Sequence, residues 1–163
     1  MKTLKPFFLT LMCLVLVSVS NAQSITVTQN SDPDDLVDLL IGDNENITIL
    51  STNYIGADIA VGSFEGGSFG IDQGLLLTTG SLDLAVGPNE AEGTSFSNST
   101  PGDPALDDLA APFSTNDASI LEIEFIPNGT NLQFNYVFGS DEYNEYVCSS
   151  FNDVFGFFID GGD

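Results

Sequence analysis

Apolar and polar residues alternate at strand spacing over much of the chain, and this period of two predicts a mostly-β fold. Runs of this kind are "SITVTQ" (24–29), "ITILSTNYIG" (47–56) and "SILEIEFIP" (119–127). In the third run Leu121, Ile123 and Phe125 share one face, while two glutamates occupy the other. A shorter strand is expected over residues 75–79, and the glycine-rich residues before it, 61–74, are assigned to turns and bulges.

The end of the third run carries a hairpin signal. Asn128-Gly129 is a dipeptide typical of two-residue hairpin turns, so "SILEIEFIP" is predicted to pair with "TNLQFNYVFG" (130–139). A further strand is predicted over "DVFGFFID" (153–160). Strands with one apolar face, separated by turns and long acidic loops, favour an antiparallel β-sandwich-like domain.

Helical spacing is convincing at one place, near the N-terminus. Ser31 or Asp32 is suited to cap the helix, and Pro33 suits its first turn. An apolar face is supplied by residues 36, 37 and 39–41, and Gly42 can end the helix. Residues 23–46 are therefore interpreted as a strand and a short helix that lead into a β domain over residues 47–163. That domain ends directly after a strand pattern, so it is expected to be truncated at its C-terminus.

The first 22 residues are typical of a secretory signal peptide. Lys2 and Lys5 precede an apolar stretch, Phe7–Val19, that is short for a membrane span. Ser20-Asn21-Ala22 then offers small residues for cleavage, which is expected after Ala22. The sequence therefore predicts a protein that is secreted or displayed at the cell surface.

Charge narrows the possible partners. All 24 Asp and Glu residues follow Ala22, whereas no Lys, Arg or His follows Lys5. Nucleic acid and anionic membrane surfaces are excluded as partners, because no positive side chain remains to displace their counterions. The carboxylates must instead rely on solvent and salt, raised pKa values or bound cations.

Two acidic stretches are candidate calcium sites, because Ca²⁺ prefers oxygen ligands and is the common divalent ion outside cells. The loop between residues 139 and 154 supplies the main candidates: Asp141, Glu142, Glu145, Asn152 and Asp153. The long polar loop 87–118 supplies weaker candidates on one expected helical turn: Asp103, Asp107 and Asp108. Neither stretch has EF-hand spacing, and a solvated acidic loop is the alternative interpretation.

Cys148 is the only cysteine after the signal peptide, so it has no partner for a disulfide within this sequence. It is expected either to pair with a residue beyond Asp163 or to remain a buried free thiol. No His or cation stands near it in the sequence to activate it as a nucleophile.

Several stretches together resemble the choice-of-anchor L domain family of exported bacterial surface proteins. The longest is "FNYVFGSDEYNEYVCSSFNDVFGFFIDG" (134–161), and "AVGSFEGG", "GIDQGLLLTTGSLDLAVGPN", "PGDPALDDLA" and "DASILEIEFIPNGTNLQF" agree in order. The resemblance covers residues 47–163. Against the family pattern, the sequence is expected to end before the rest of the domain and before any anchor, and Cys148 stands where a small or polar residue is expected.

The resemblance implies a surface-exposed or released protein with an adhesin-like, modular layout; relatives in the Bacteroidetes usually end in a type IX secretion signal. We therefore expect a non-enzymatic recognition or adhesion module with calcium-stabilised loops. Its expected partners are a surface glycan, a protein ligand or neighbouring domains of the same longer chain. The alternatives are a passive stalk and a glycoside hydrolase working through two carboxylates, although the chain lacks Trp for sugar stacking.

Overall fold

The computed structural model describes residues 24–42, 46–88, 91, 93–140, 146–151 and 153–161. Its regular elements are β1 (Thr26–Gln29), α1 (Pro33–Ile41), β2 (Ile47–Ile55), β3 (Val61–Glu65), β4 (Gln73–Leu77), α2 (Pro104–Ala110) and β5 (Ile120–Pro127). Two short 3-10 turns, Asp58–Ala60 and Leu82–Val86, lie next to β3 and after β4. The predicted mostly-β class is confirmed, with two helices among the described residues.

The strands form two antiparallel sheets. β3 lies between β1 and β4 in a three-stranded sheet, and β2 pairs with β5 in a two-stranded sheet. The β2–β5 ladder runs from the Ile47–Pro127 pair to the Ile55–Ile120 pair, with an irregularity between Ile49 and Ser51. Helix α1 contacts β2, β3 and β4, so it packs against strands of both sheets.

The core lies beneath this helix. Leu36 and Val37 of α1 are buried, as are Val61 and Phe64 of β3 and Leu82 of the second 3-10 turn. Removing such side chains from water is the main stabilising contribution, at about 1.5–3 kcal/mol for each large side chain. None of the helices among the described residues is long and apolar enough to cross a membrane.

Local signals predicted α1 well. Asp32 caps it, its side chain accepting a hydrogen bond from the Asp34 amide at 3.0 Å. Pro33 occupies the first turn, and Gly42 follows the helix with a φ of 61°, a left-handed value that glycine adopts without strain. The predicted strands over 24–29 and 47–56 are confirmed as β1 and β2 with slightly shorter bounds.

Assigning all of residues 61–74 to turns and bulges was wrong, because residues 61–65 form the central strand β3. Val61 and Phe64 are buried there, and Gly62 allows close approach to β1: a Cβ on Gly62 would collide with the Thr28 carbonyl oxygen. The following strand covers Gln73–Leu77, two residues earlier than predicted.

The predicted hairpin was also wrong. β5 forms as expected, but its partner is β2, and the Asn128 amide extends that pairing through a bond to the Asn46 carbonyl. Residues 130–139 and 153–160, all of which are described, are not assigned as strands. Neutral side chains on β2 favour the observed pairing: Ser51 Oγ and Asn53 Nδ2 donate to the Glu124 and Glu122 carboxylates at 2.9 and 2.8 Å.

Candidate functional site

The principal calcium candidates fall mostly outside the described residues. Four of them have no described position: Asp141, Glu142, Glu145 and Asn152. Asp153, the fifth, is exposed and begins the described segment 153–161. The structure therefore describes the segments on either side of the acidic loop, and the loop's use as a calcium site stays a prediction.

Aromatic rings on those two flanking segments stack in pairs. Phe134 and Phe157 are stacked with ring centroids 4.2 Å apart, and Tyr136 stacks on Phe155 at 5.4 Å. Phe138 also contacts Phe155, at 6.2 Å. We call these five residues the aromatic ladder.

The ring pairs reveal how the two segments run. Moving from Phe134 to Tyr136 advances two residues, and the partner ring moves back two residues, from Phe157 to Phe155. Two extended segments aligned antiparallel, with alternate side chains on one face, give this spacing. The aromatic ladder is thus a two-segment face in strand register.

This face is open to solvent. Phe134 is the least exposed ring at 38%, whereas Tyr136 is 62% exposed and the other three are near half exposure. The face borders a cavity of about 450 Å³ between the turn Phe69–Ile71 and residues 134–137. A contiguous exposed patch of aromatic side chains is typical of an interaction surface.

The weaker calcium candidates lie at α2, where an expected helical turn is confirmed. Asp103 caps the helix, and its Oδ1 accepts hydrogen bonds from the Ala105 and Leu106 amides at 2.8 and 3.2 Å. Asp107 Oδ1 accepts from the Thr115 hydroxyl at 2.7 Å and also from the Thr115 amide. Asp108 is exposed and points to no described partner.

Thr115 links the backbone of Asp103 to the carboxylate of Asp107. Its hydroxyl accepts a hydrogen bond from the Asp103 amide at 3.0 Å while donating to Asp107. The hydrogen bonds from the Thr115 amide and hydroxyl hold the pKa of Asp107 below its usual value. These acidic groups are therefore satisfied by neutral donors. Among the described residues, no three His, Cys, Asp or Glu side chains are grouped to hold a metal ion.

Sequence reasoning missed Asp117, whose carboxylate accepts more hydrogen bonds than any other in the part of the chain that the structure describes. This residue is 8% exposed, and its φ of 53° lies in the left-handed region, which non-glycine residues seldom occupy. Oδ1 accepts from the Thr100 amide and hydroxyl at 2.7 and 3.1 Å. Oδ2 accepts from the Ser97 hydroxyl and the Asn98 amide at 2.9 and 3.2 Å.

The environment of Asp117 keeps it ionised. Burial raises the pKa of its carboxyl, but the hydrogen bonds from Thr100, Ser97 and Asn98 outweigh that effect and leave the pKa below its usual value. All four donors are 17 to 20 residues away in sequence. No local motif therefore marks the residue, although a Ser/Thr/Asn-rich run, "SNST" (97–100), supplies the donors.

Backbone contacts complete this arrangement, which we call the Asp117 clasp: residues 97–101 held against 116–118. The Asp117 and Ala118 amides donate to the Thr100 and Pro101 carbonyls, each at 3.0 Å. Asn98 Nδ2 donates to the Thr79 and Gly80 carbonyls at 3.0 and 2.9 Å, which ties the long loop to the end of β4. The loop is thus ordered by hydrogen bonds.

The acidic loop is also described over residues 146–151. The Tyr146 ring meets Phe151 edge-on, with centroids 5.4 Å apart. Cys148 is exposed and free, with a φ of 64°, so the expectation of a buried thiol was wrong. The residue lies in a tight turn closed by a hydrogen bond from the Ser149 amide to the Tyr146 carbonyl at 2.9 Å, and this turn is at the surface rather than in the core.

The fold and these sites define a mostly-β domain with long, internally hydrogen-bonded acidic loops. The chain belongs to the choice-of-anchor L domain family, whose model matches residues 23–163, and the resemblance expected from the sequence is confirmed. No curated protein and no solved structure matches the chain. Membership indicates an exported, extracellular protein module that is anchored at the cell surface.

Proposed function

We propose that this domain is a non-enzymatic recognition or adhesion module on the outside of a bacterial cell, with acidic loops stiffened by calcium. Family membership supports the location. The observation that carries the recognition role is the aromatic ladder: five rings aligned on one face and open to solvent. Aromatic side chains dominate the energetics of binding surfaces, because they bury a large area at a low cost in side-chain entropy.

Two of the described carboxylates, Asp107 and Asp117, are unsuited to the acid role of a glycoside hydrolase. A glycoside hydrolase needs one carboxylic acid whose pKa is raised so that it can protonate the leaving group. The pKa values of Asp107 and Asp117 are shifted downward, and neutral donors engage both side chains. These groups act as hydrogen-bond acceptors that shape loops, a role that supports a scaffold for binding.

Calcium is proposed for the loop that joins the two halves of the aromatic ladder. Asp141, Glu142, Glu145 and Asp153 supply carboxylates there, Asn152 supplies an amide oxygen, and no basic side chain follows Lys5 to balance them. A bound Ca²⁺ would neutralise these groups and hold the loop ends together. The ion has a structural role in this proposal.

Thermal unfolding with and without calcium tests the stiffening. We expect the melting temperature of the exported chain to rise in millimolar CaCl₂ relative to EDTA, and the rise to disappear in Asp141→Asn/Glu142→Gln. The double variant Glu65→Gln/Asp83→Asn is the matched control, because it also removes two exposed charges but lies outside the loop. A calcium response that is equal in both double variants would remove this loop from the proposal.

Adhesion is tested separately. Beads coated with the exported chain are expected to bind defined members of a glycan array or a panel of cell-surface and matrix proteins. A passive stalk would bind neither. Hydrolysis of a polysaccharide panel, lost when any one carboxylate is changed, would contradict the non-enzymatic assignment and support the glycosidase alternative.

A further inference from the structure

The segments that carry the aromatic ladder have unused backbone hydrogen-bonding groups. Residues 131–139 and 153–161 are described, and no backbone hydrogen bond found in the described chain involves them. Extended backbone with unpaired N–H and C=O groups is a template for an added strand. The aromatic ladder therefore offers both an apolar face and a free edge.

The charge of the chain selects what can approach that face. Every charged side chain after Lys5 is negative, so a second copy of the chain is repelled over the whole surface. Alternation places Asp153 on the same face as Phe155 and Phe157, at the end of the row of rings. Aromatic faces attract ammonium and guanidinium groups, and a neighbouring carboxylate strengthens that attraction.

Side chains of a partner also have a place to enter. An open cavity of about 450 Å³ lies beside Phe134 and Tyr136, and the turn Phe69–Ile71 borders its other side. Phe69 itself is 47% exposed and packs at 5.4 Å on Phe64, a core residue, so this wall is anchored to the three-stranded sheet. The cavity is open to solvent and has room for one or two side chains.

We propose that the aromatic ladder binds an extended, basic peptide segment of another protein, with apolar side chains at alternate positions. This inference rests on the proposed recognition function and names its partner class. The peptide backbone pairs with the unpaired edge, the apolar side chains cover the rings, and Lys or Arg side chains meet the rings and Asp153. A positively charged partner complements this chain, which has no basic side chain after Lys5.

The probe is an eight-residue peptide of alternating valine and lysine, labelled for fluorescence anisotropy and titrated with the full exported chain. We expect saturable binding that weakens with salt. A peptide with glutamate in place of lysine, and one with four valines followed by four lysines, should bind at least about tenfold more weakly. The second of these controls has the same composition and charge but lacks the alternation.

Ring variants locate the binding face without changing the charge. Tyr136→Ser and Phe155→Ser are each expected to weaken binding about tenfold or more. Phe96→Ser is the matched control, since Phe96 is also half-exposed but lies in the long loop. Tyr136→Phe keeps the ring and should retain binding, and circular dichroism confirms that each variant is folded.

Three outcomes would overturn the inference. Equal binding of the lysine and glutamate peptides would exclude charge selection, and binding that survives both ring variants would exclude this face. Ring-dependent self-association in sedimentation, without peptide binding, would make the occupant a second copy. If beads carrying the ring variants still adhere to their targets, the recognition function stands and only this partner assignment fails; if no bead adheres at all, the proposed function fails.

Discussion

The Asp117 clasp and the aromatic ladder lie in one chain that has no basic side chain after Lys5, yet their polar and apolar groups differ in exposure to solvent. In the clasp a buried carboxylate receives four hydrogen bonds from neutral donors, and the loop is closed by its own groups. In the aromatic ladder five rings pair with each other while remaining 38–62% exposed. The comparison teaches that a carboxylate can be buried without a positively charged partner or a bound cation. The Asp117 carboxylate is satisfied by hydrogen bonds within the chain, whereas the rings of the aromatic ladder remain exposed to solvent.

The largest expected effect is on stability, from Asp117→Asn. The amide offers one acceptor oxygen in place of two and brings two N–H donors against the Ser97, Asn98 and Thr100 donors. We expect the free energy of unfolding to fall by about 2–4 kcal/mol, because hydrogen bonds to charged groups contribute about 1.5–3 kcal/mol each. Urea unfolding measures this.

Asp108→Asn is the control for that variant, since Asp108 is exposed on the same loop, and its effect should stay within about 0.5 kcal/mol. Equal losses in the two variants would show that the hydrogen bonds of the clasp add no stability beyond the effect of removing one negative charge.

The second-largest effect is expected from low pH, which should weaken the Asp117 clasp. The pKa values of Asp107 and Asp117 are lowered in the folded chain, so the unfolded state binds protons more tightly. Their contribution to stability is complete above the unfolded-state value near pH 4 and is lost as the pH falls through the lower folded values. Unfolding followed between pH 6 and 2 should show this loss, and Asp117→Asn should flatten the profile. A profile unchanged by that substitution would mean that other carboxylates dominate.

A smaller effect is expected from Thr115→Val, which keeps the shape of the side chain and removes its hydroxyl. Asp107 then loses one of its two donors, and its pKa should rise toward the ordinary value. We expect a loss in the free energy of unfolding that is smaller than that of Asp117→Asn. Carboxyl carbon NMR titration follows Asp107 directly, and a pKa that does not move would assign its shift to the Thr115 amide alone.

The smallest stability effect is expected in the aromatic ladder. Phe157→Ser removes a ring that is already 52% exposed, so the free energy of unfolding should fall by less than about 1 kcal/mol. Phe64→Ser, at a buried ring of β3, should cost about 3 kcal/mol or more and serves as the contrast. Similar losses for the two rings would mean that the ladder is part of the core.

The parts of the fold that were predicted correctly depend on neighbours in sequence. Asp32, Pro33 and Gly42 specify α1 within one short window, and the alternation in β2 and β5 specifies two strands. The choice of partner for β5 depends on Ser51 and Asn53, about 70 residues away, so the local Asn128-Gly129 signal was misleading.

The same distinction applies to the sites. Clustered acidic residues were visible as a pattern, but a pattern does not show which carboxylates are already engaged by Thr115 or by helix amides. No sequence pattern pointed to Asp117, because its hydrogen-bond donors lie in residues 97–100, far from it in the sequence. Strand β3 was missed for a related reason. In the sequence, a glycine that allows close approach to β1 cannot be distinguished from a glycine that forms a turn.

The position of the Asp117 clasp also bears on how quickly the chain folds. Ala118 and Asp117 come just before β5 begins at Ile120, and β5 must find β2 across more than sixty residues. Joining residues 97–101 to 116–118 first would shorten the free chain in that search and lower the entropy lost on closure. A weakened clasp should then slow refolding of the β2–β5 sheet, even under conditions in which the finished protein remains folded.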